Sequence, residues 1–289
     1  NKYMIKHIVI ESGGYKGLYV LGALDELNKS KFYNIENIKT IYGTSIGSYV
    51  GVLLCLKMEW GDLLEYFINR PWHKAQKFPL ITTMFSDKGL LDSSLFYVSL
   101  KNLFFSKDLS LDLTFQELYN HSNIELHMFT VEVQEFKLID LSYKTHPNMK
   151  IIEGIYKSCA IPYVFKPCWA DNHYYIDGGV INDYPVEDCI SNGALPDEIL
   201  GFKFQRPENK LITEECNIFD FSRHLHSKLI DICRKYRRVK DISLKNEIII
   251  EGKNSEIDEC IKLMKDSEIR KEYINHGKAA AKEFLKLRS

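Results

Sequence analysis

The chain has 289 residues, 45% of them hydrophobic, which is enough for one large domain or two small ones around a proper core. Its 38 lysines and arginines balance 39 aspartates and glutamates, so whole-chain charge offers no case for nucleic-acid binding. No apolar run approaches the ~18 residues that a membrane span needs; the most apolar stretch, Tyr49 to Leu56, is short, ends at Lys57 and reads as a buried helix.

Lys6 to Glu11 is a short β-branched run that leads into the glycine cluster Ser12-Gly13-Gly14-Tyr15-Lys16-Gly17. Leu18, Leu21, Leu24 and Leu27 then recur at helical spacing. The same order follows at once: a strand over Ile38 to Tyr42, the tight turn Gly43-Thr44-Ser45-Ile46-Gly47, and a helix over Ile46 to Lys57. Strands alternating with helices predict an α/β fold around a mainly parallel sheet. Residues 70 to 92 are irregular, with Pro71, Pro79 and Gly89 among Trp72, Phe78 and Phe85. The stretch from Trp72 to Phe85 is either a mobile lid or a packed connection.

A helix is expected from Asp92 to Phe105, and Thr114-Phe115-Gln116-Glu117 has the capping-box spacing that opens another. Glu125 to Glu132 and Phe136 to Leu141 read as strands joined by a hairpin turn. Met149 to Ser158 reads as a helix, His173 to Ile176 as a strand running into Asp177-Gly178-Gly179, and Glu198 to Phe204 as a further strand. Beyond about Pro207 the chain is charged and mostly helical over 214–245 and 255–287, with one strand-like run at Glu247 to Ile250. The expected division is a catalytic unit over residues 1–206 and a helical extension over 207–289 packed on it. No repeat or low-complexity segment is present.

Gly43-Thr44-Ser45-Ile46-Gly47 is a G-x-S-x-G between an expected strand and an expected helix. That context lifts the Ser45 hydroxyl clear of the sheet, and Gly43 and Gly47 leave room for the sharp turn. The adjacent glycines Gly13 and Gly14 can aim successive backbone N–H groups at an anion. The spacing of Gly13, Gly14 and Gly17 matches neither a P-loop nor a dinucleotide loop, so nucleotide binding is a poor reading. Asp177, at a strand end beside Gly178 and Gly179, is placed to act as a general base for a serine, although an aspartate in a turn is common by itself.

Together these segments resemble the patatin-like phospholipase family, which shares its core with cytosolic phospholipase A2. The matching motifs are the oxyanion loop Ser12 to Gly17, the elbow Gly43 to Gly47, and Asp177-Gly178-Gly179 continuing through Asn182 to Pro185. The stretch Ser158-Cys159-Ala160-Ile161-Pro162, with Phe165 and Pro167, is similar to a further family segment. The likeness covers residues 8 to 186, and residues 207 to 289 have no recognised counterpart. It implies a three-layer α/β/α fold and a phospholipase A or lysophospholipase activity on phospholipid or another acyl lipid. It also implies a Ser45–Asp177 dyad, an oxyanion hole formed by the amides of Gly13, Gly14 and Tyr15, and no metal or other cofactor. Lys16 and Gly17 would support the loop, with Lys16 alternatively meeting a phosphate head group. One departure is Ser12, which stands where the family has glycine; it would loosen the hole if that position required positive φ.

Two other readings compete. A Ser-His-Asp triad would draw its histidine from His224, His226 or His276, and a silent scaffold would keep the fold without the reaction. His224-Leu225-His226 is also the nearest approach to a metal-ligand pair, and a solvent-facing helix explains it better. Between Arg223 and Lys245, eight basic residues face two acids, a net of +6, and Leu225, Leu229, Ile232, Tyr236 and Val239 form a stripe. A basic amphipathic helix can lie on anionic lipid, so peripheral membrane contact is expected of such an enzyme. For this segment alone, an ordinary surface helix with its stripe on the core is the plainer reading. Seven scattered cysteines without a CxxC pair and the absence of a visible signal peptide give a cytoplasmic expectation, tempered by a chain that starts at Asn1.

Overall fold

The β-branched runs become the centre of one mixed sheet. In the computed structural model, which describes residues 4–75, 82, 86–205, 213–237, 242–252 and 257–288, the strands are β1 (His7–Ile10), β2 (Thr40–Thr44), β3 (Glu125–Glu132), β4 (Lys137–Leu141), β5 (Cys168–Ala170), β6 (His173–Asp177), β7 (Ile199–Phe204) and β8 (Asn246–Ile250). Their order is β5-β6-β3-β2-β1-β7-β8, with β4 also on β3. The five strands β3, β2, β1, β7 and β8 run parallel, and β4, β5 and β6 pair antiparallel.

Side-chain alternation gives the sheet two apolar faces. Ile8 and Ile10 of β1, Ile41 of β2 and Leu126 and Met128 of β3 enter one buried cluster with helices α1 (Gly17–Lys29) and α2 (Ile46–Cys55). Val9, Tyr42 and Phe129 point the other way, into a cluster with Val186 and Cys189 of the helix Val186–Ser191. Helices on both faces make the three-layer α/β/α arrangement expected of crossover connections between parallel strands.

Most boundaries fall within two residues of the expectation. β2 covers Thr40–Thr44 rather than 38–42, because its register is set by pairing with both β1 and β3. The capping box at Thr114 is present, with Thr114 Oγ1 accepting from the Glu117 amide at 3.2 Å and Glu117 Oε2 accepting from the Thr114 amide at 2.8 Å. The helices Trp60–Asn69 and Val186–Ser191 and the short strand β5 were not anticipated.

The C-terminal helix Ser267–Lys286 lies along α1. Contact is close enough that a Cβ on Gly22 would meet the backbone of Ile274, and one on Gly277 the backbone of Tyr19. Leu263, Tyr273, Ile274 and Ala281 belong to the same buried cluster as the sheet. Arg270 of this helix is buried and donates to the carbonyls of Ile68 and Arg70 at the end of the helix Trp60–Asn69, where backbone acceptors lack helical partners.

One expectation from the sequence changes. The stripe Leu225, Leu229 and Ile232, read as facing the core, is exposed on the helix Ile218–Arg237; Val239 and the side chain of Tyr236 lie outside the described residues. Of the lid candidate, residues 76–81 and 83–85 also lie outside them, whereas Trp72 is buried with its Nε1 donating to the Phe67 carbonyl at 3.0 Å. The boundary expected at residue 207 falls outside as well. No helix among the described residues is long and apolar enough to cross a membrane.

Candidate active site

Strand β3 brings Ser45 and Asp177 together. β2 pairs with β3 in parallel and ends with Thr44 opposite Phe129. β6 pairs antiparallel and ends with Asp177 opposite Thr130, the next residue of β3. Because β4 occupies the other edge of β3 at 128–132, β2 and β6 share one edge and approach each other head-on. Residues distant in sequence therefore meet where the two strands stop. Thr130 Oγ1 locks this junction by bonding both the Lys157 and the Ile176 carbonyls at 2.9 Å.

Ser45 sits at φ 57°, ψ −122° between β2 and α2. This backbone region is costly for a residue with a Cβ and persists only when its surroundings impose it. Here the Thr44 hydroxyl donates to the Asn182 carbonyl at 2.8 Å. The Ser45 amide donates to Ser158 Oγ at 3.0 Å, and the Ser45 carbonyl already accepts from Ser48 at 2.9 Å as the first acceptor of α2. A Cβ on Gly43 would strike the backbone of Gly47, and one on Gly47 the carbonyl of Ile10 in β1. The elbow needs glycine at both positions.

Asp177 is buried, with 2% of its surface exposed. Its Oδ1 accepts from the Gly179 amide at 2.7 Å, and its Oδ2 has no hydrogen-bond partner among the described residues. Burial pushes the carboxyl from 3.8 up to about 7, against the pull of the Ser45 hydroxyl and the Gly179 amide, and the nearby charge of Asp183 raises it further. The Ser45 hydroxyl is thus near enough to favour the charged carboxylate without forming a close hydrogen bond to it in the resting state. Among the described residues no histidine nitrogen bonds either group; His276, for example, meets the Glu251 carbonyl at 2.6 Å.

The glycine loop joins the same point. A Cβ on Gly17 would strike the Ile46 side chain, and one on Gly179 would lie 3.0 Å from Ser12 Oγ and 2.9 Å from Asp177 Oδ1. The positive φ in the loop, 55°, belongs to Gly14. Ser12 is not left-handed, and its amide donates to the Asp183 carbonyl at 2.8 Å. A serine at position 12 therefore carries no left-handed backbone strain. Lys16 is buried with Nζ 5.2 Å from the centre of the Phe204 ring. Burial lowers its pKa and Glu11 opposes that shift, a setting that suits holding the loop rather than meeting a head group.

Three contributors were not assigned roles from the sequence. Ser158 lay within a quoted motif, yet its bond to the Ser45 amide joins positions 113 residues apart. Asp183 follows Asn182 without any local signal that its carbonyl accepts from the Ser12 amide or that its charge raises the Asp177 pKa. Cys159 is buried beside the site, where burial and the charge of Asp177 raise its thiol pKa.

The patatin-like phospholipase family model matches residues 8–190, more than half of the chain. The probable lipid hydrolase 463L of invertebrate iridescent virus 6 is 29% identical over 195 residues, which cover 64% of this chain and 63% of that protein. The uncharacterized protein R571 of Acanthamoeba polyphaga mimivirus is 22% identical over 184 residues, covering 63% of this chain and 60% of its own length. The chain thus spans less than two thirds of the curated relatives it matches. Among solved structures, VipD from Legionella pneumophila aligns with a TM-score of 0.55 at 14% identity, over 98% of this chain and 67% of that one, a likeness of fold.

Proposed function

The chain belongs to the patatin-like phospholipase family, and from that premise we propose that it is a lipid acyl hydrolase of the phospholipase A or lysophospholipase kind, working through Ser45 and Asp177. The observation that carries this reading is the head-on meeting of β2 and β6 on β3, which sets a strained serine against a buried carboxyl with a pKa of about 7. A base with that pKa is ionised enough to act near neutrality and basic enough to hold a proton in the intermediate.

In the first half-reaction the ionised Asp177 takes the Ser45 hydroxyl proton as Oγ attacks the ester carbonyl. The amides of Gly13, Gly14 and Tyr15 hold the resulting oxyanion, a contribution worth several kcal/mol when donors are fixed beforehand. Collapse breaks the ester C–O bond, and Asp177 returns its proton to the departing alkoxide. Water then attacks acyl-Ser45 with Asp177 again as base, the Ser45–acyl bond breaks as Asp177 returns the proton to Ser45 Oγ, and the fatty acid leaves. Nothing in these steps calls on a metal. The lipid substrate places the enzyme at a membrane surface as a peripheral protein.

The test is fatty-acid release from mixed phospholipid vesicles, with and without EDTA, by the parent protein, Ser45→Ala and Asp177→Ala. EDTA-resistant release that disappears in both variants is the expected result. Release retained in either variant, or absent from the parent on vesicles and on a soluble ester alike, sinks the dyad; loss on replacing only His224, His226 or His276 would install the triad instead.

A further inference from the structure

We propose that the outward face of the helix Ile218–Arg237 is a docking surface for an anionic lipid bilayer, a proposal that rests on the lipid-hydrolase reading for its choice of occupant. Ile218, Phe221, Leu225, Leu229 and Ile232 are 56%, 49%, 46%, 40% and 48% exposed. At 100° per residue they fall within a stripe roughly 80° wide. A surface helix of a soluble protein ordinarily turns such a stripe inward. Here the five large apolar side chains remain 40–56% exposed, and among the described side chains of this helix the buried one is Ser222, which borders the stripe beside Leu229 and marks the margin where it meets the protein. Single exposed apolar residues need no explanation, whereas five in one line form a contiguous patch of the kind that marks an interaction site.

Charge selects the occupant. The helix carries Arg223, Lys228, Arg234, Lys235 and Arg237 against Asp220 and Asp231, and Lys228 is exposed. An exposed apolar stripe on a helix of net positive sequence, with Lys228 exposed beside it, suits the boundary between acyl chains and anionic head groups. A second copy of the chain would instead bring together two helices that each carry five basic residues against two acids.

Position links the surface to the chemistry. The helix packs against the turn Gly178–Val180, which directly follows Asp177 and whose Gly179 amide holds the Asp177 carboxylate. A bilayer seated on this helix would therefore lie next to the element that carries the proposed base, so that a lipid leaving the bilayer has a short path to Ser45.

The experiment separates docking from chemistry. Co-sedimentation with phosphatidylcholine vesicles, with and without phosphatidylserine, is measured for Ser45→Ala protein, which keeps the vesicles intact, with the stripe native or carrying Leu225→Asp and Leu229→Asp. The native stripe is expected to bind the anionic vesicles, and the double substitution to weaken binding by about tenfold or more. Lys228→Glu should weaken binding to the anionic vesicles alone. With Ser45 restored, the double variant should lose vesicle hydrolysis by a similar factor while cleaving a soluble short-chain ester at the parent rate with an unchanged unfolding midpoint.

Binding and vesicle hydrolysis equal to the parent would overturn the proposal. So would stripe variants that alter only the oligomeric state, which would assign the face to self-association. Stripe-dependent vesicle binding by a parent protein that hydrolyses neither vesicles nor the soluble ester would leave the docking surface standing and remove the hydrolase reading.

Discussion

Replacing Asp177 by asparagine tests the physical basis of the site in two independent ways. Asparagine keeps the Oδ1 acceptor for the Gly179 amide, 2.7 Å away, and removes the charge. In the wild type the folded-state pKa of about 7 lies above the ordinary 3.8. A group raised in this way binds its proton more tightly folded than unfolded. Its contribution is complete below 3.8, is lost as pH rises toward 7, and leaves a constant cost above it. About three units at 1.36 kcal/mol each put that cost at up to ~4 kcal/mol.

Asp177→Asn should therefore be more stable than the wild type at pH 8.5 by up to this amount, with the gain shrinking to near zero at pH 4. Urea unfolding of both proteins at pH 4, 6 and 8.5 measures the difference, in which the titration of all other groups largely cancels. Activity on a soluble ester should move the other way, since in the proposed dyad only ionised Asp177 accepts the Ser45 proton. Wild-type rate should climb with pH through about 7 and then level off, and the variant should be inactive throughout. A stability difference independent of pH, or a wild-type rate that falls between pH 5 and 8, would refute the reasoning.

Other outcomes follow from the same geometry. Ser45→Gly should be more stable than Ser45→Ala by about 1 kcal/mol in urea unfolding, because glycine relieves the strain at φ 57° at the cost of some unfolded-state entropy. Ser158→Ala takes away the acceptor for the Ser45 amide and should lower kcat at least about tenfold with KM little changed, since an amide left unpaired in a buried turn lets the elbow drift. Gly277→Ala should cost about 2 kcal/mol, read from the thermal midpoint, as its Cβ must push the C-terminal helix away from the Tyr19 backbone; an unchanged midpoint would mean that the two helices are not held this close.

The local signals in the chain carried much of this site. A β-branched run before Gly43 and apolar helical spacing after Gly47 were enough to place Ser45 on a strand-to-helix turn, because the flanking glycines and the hydrogen-bonding demands of the two elements are short-range constraints. The same holds for the capping box at Thr114, for the glycine loop between β1 and α1, and for Asp177 at the end of its strand. Their combination also pointed to the family, since several ordered motifs constrain one another more tightly than any does alone.

Tertiary structure decided what depends on neighbours remote in sequence. Side-chain periodicity says which residues share a face but not whether that face meets the core or solvent. The stripe on Ile218–Arg237 was for this reason assigned inward and found exposed, although Ser222 at its margin is buried. β2 lies two residues later than its propensity suggested, because hydrogen bonding to β1 and β3 overrides local preference. The short strand β5 exists by pairing with β6 and had no periodic signal of its own. Above all, the contact between Ser45 and Asp177 comes from two strands ending at Phe129 and Thr130 of a third. The pKa of about 7 comes from the desolvation that this meeting imposes. Sequence supplied the chemical groups and their local geometry; their proximity and protonation are properties of the folded sheet, because burial and distance are set only when the strands are assembled.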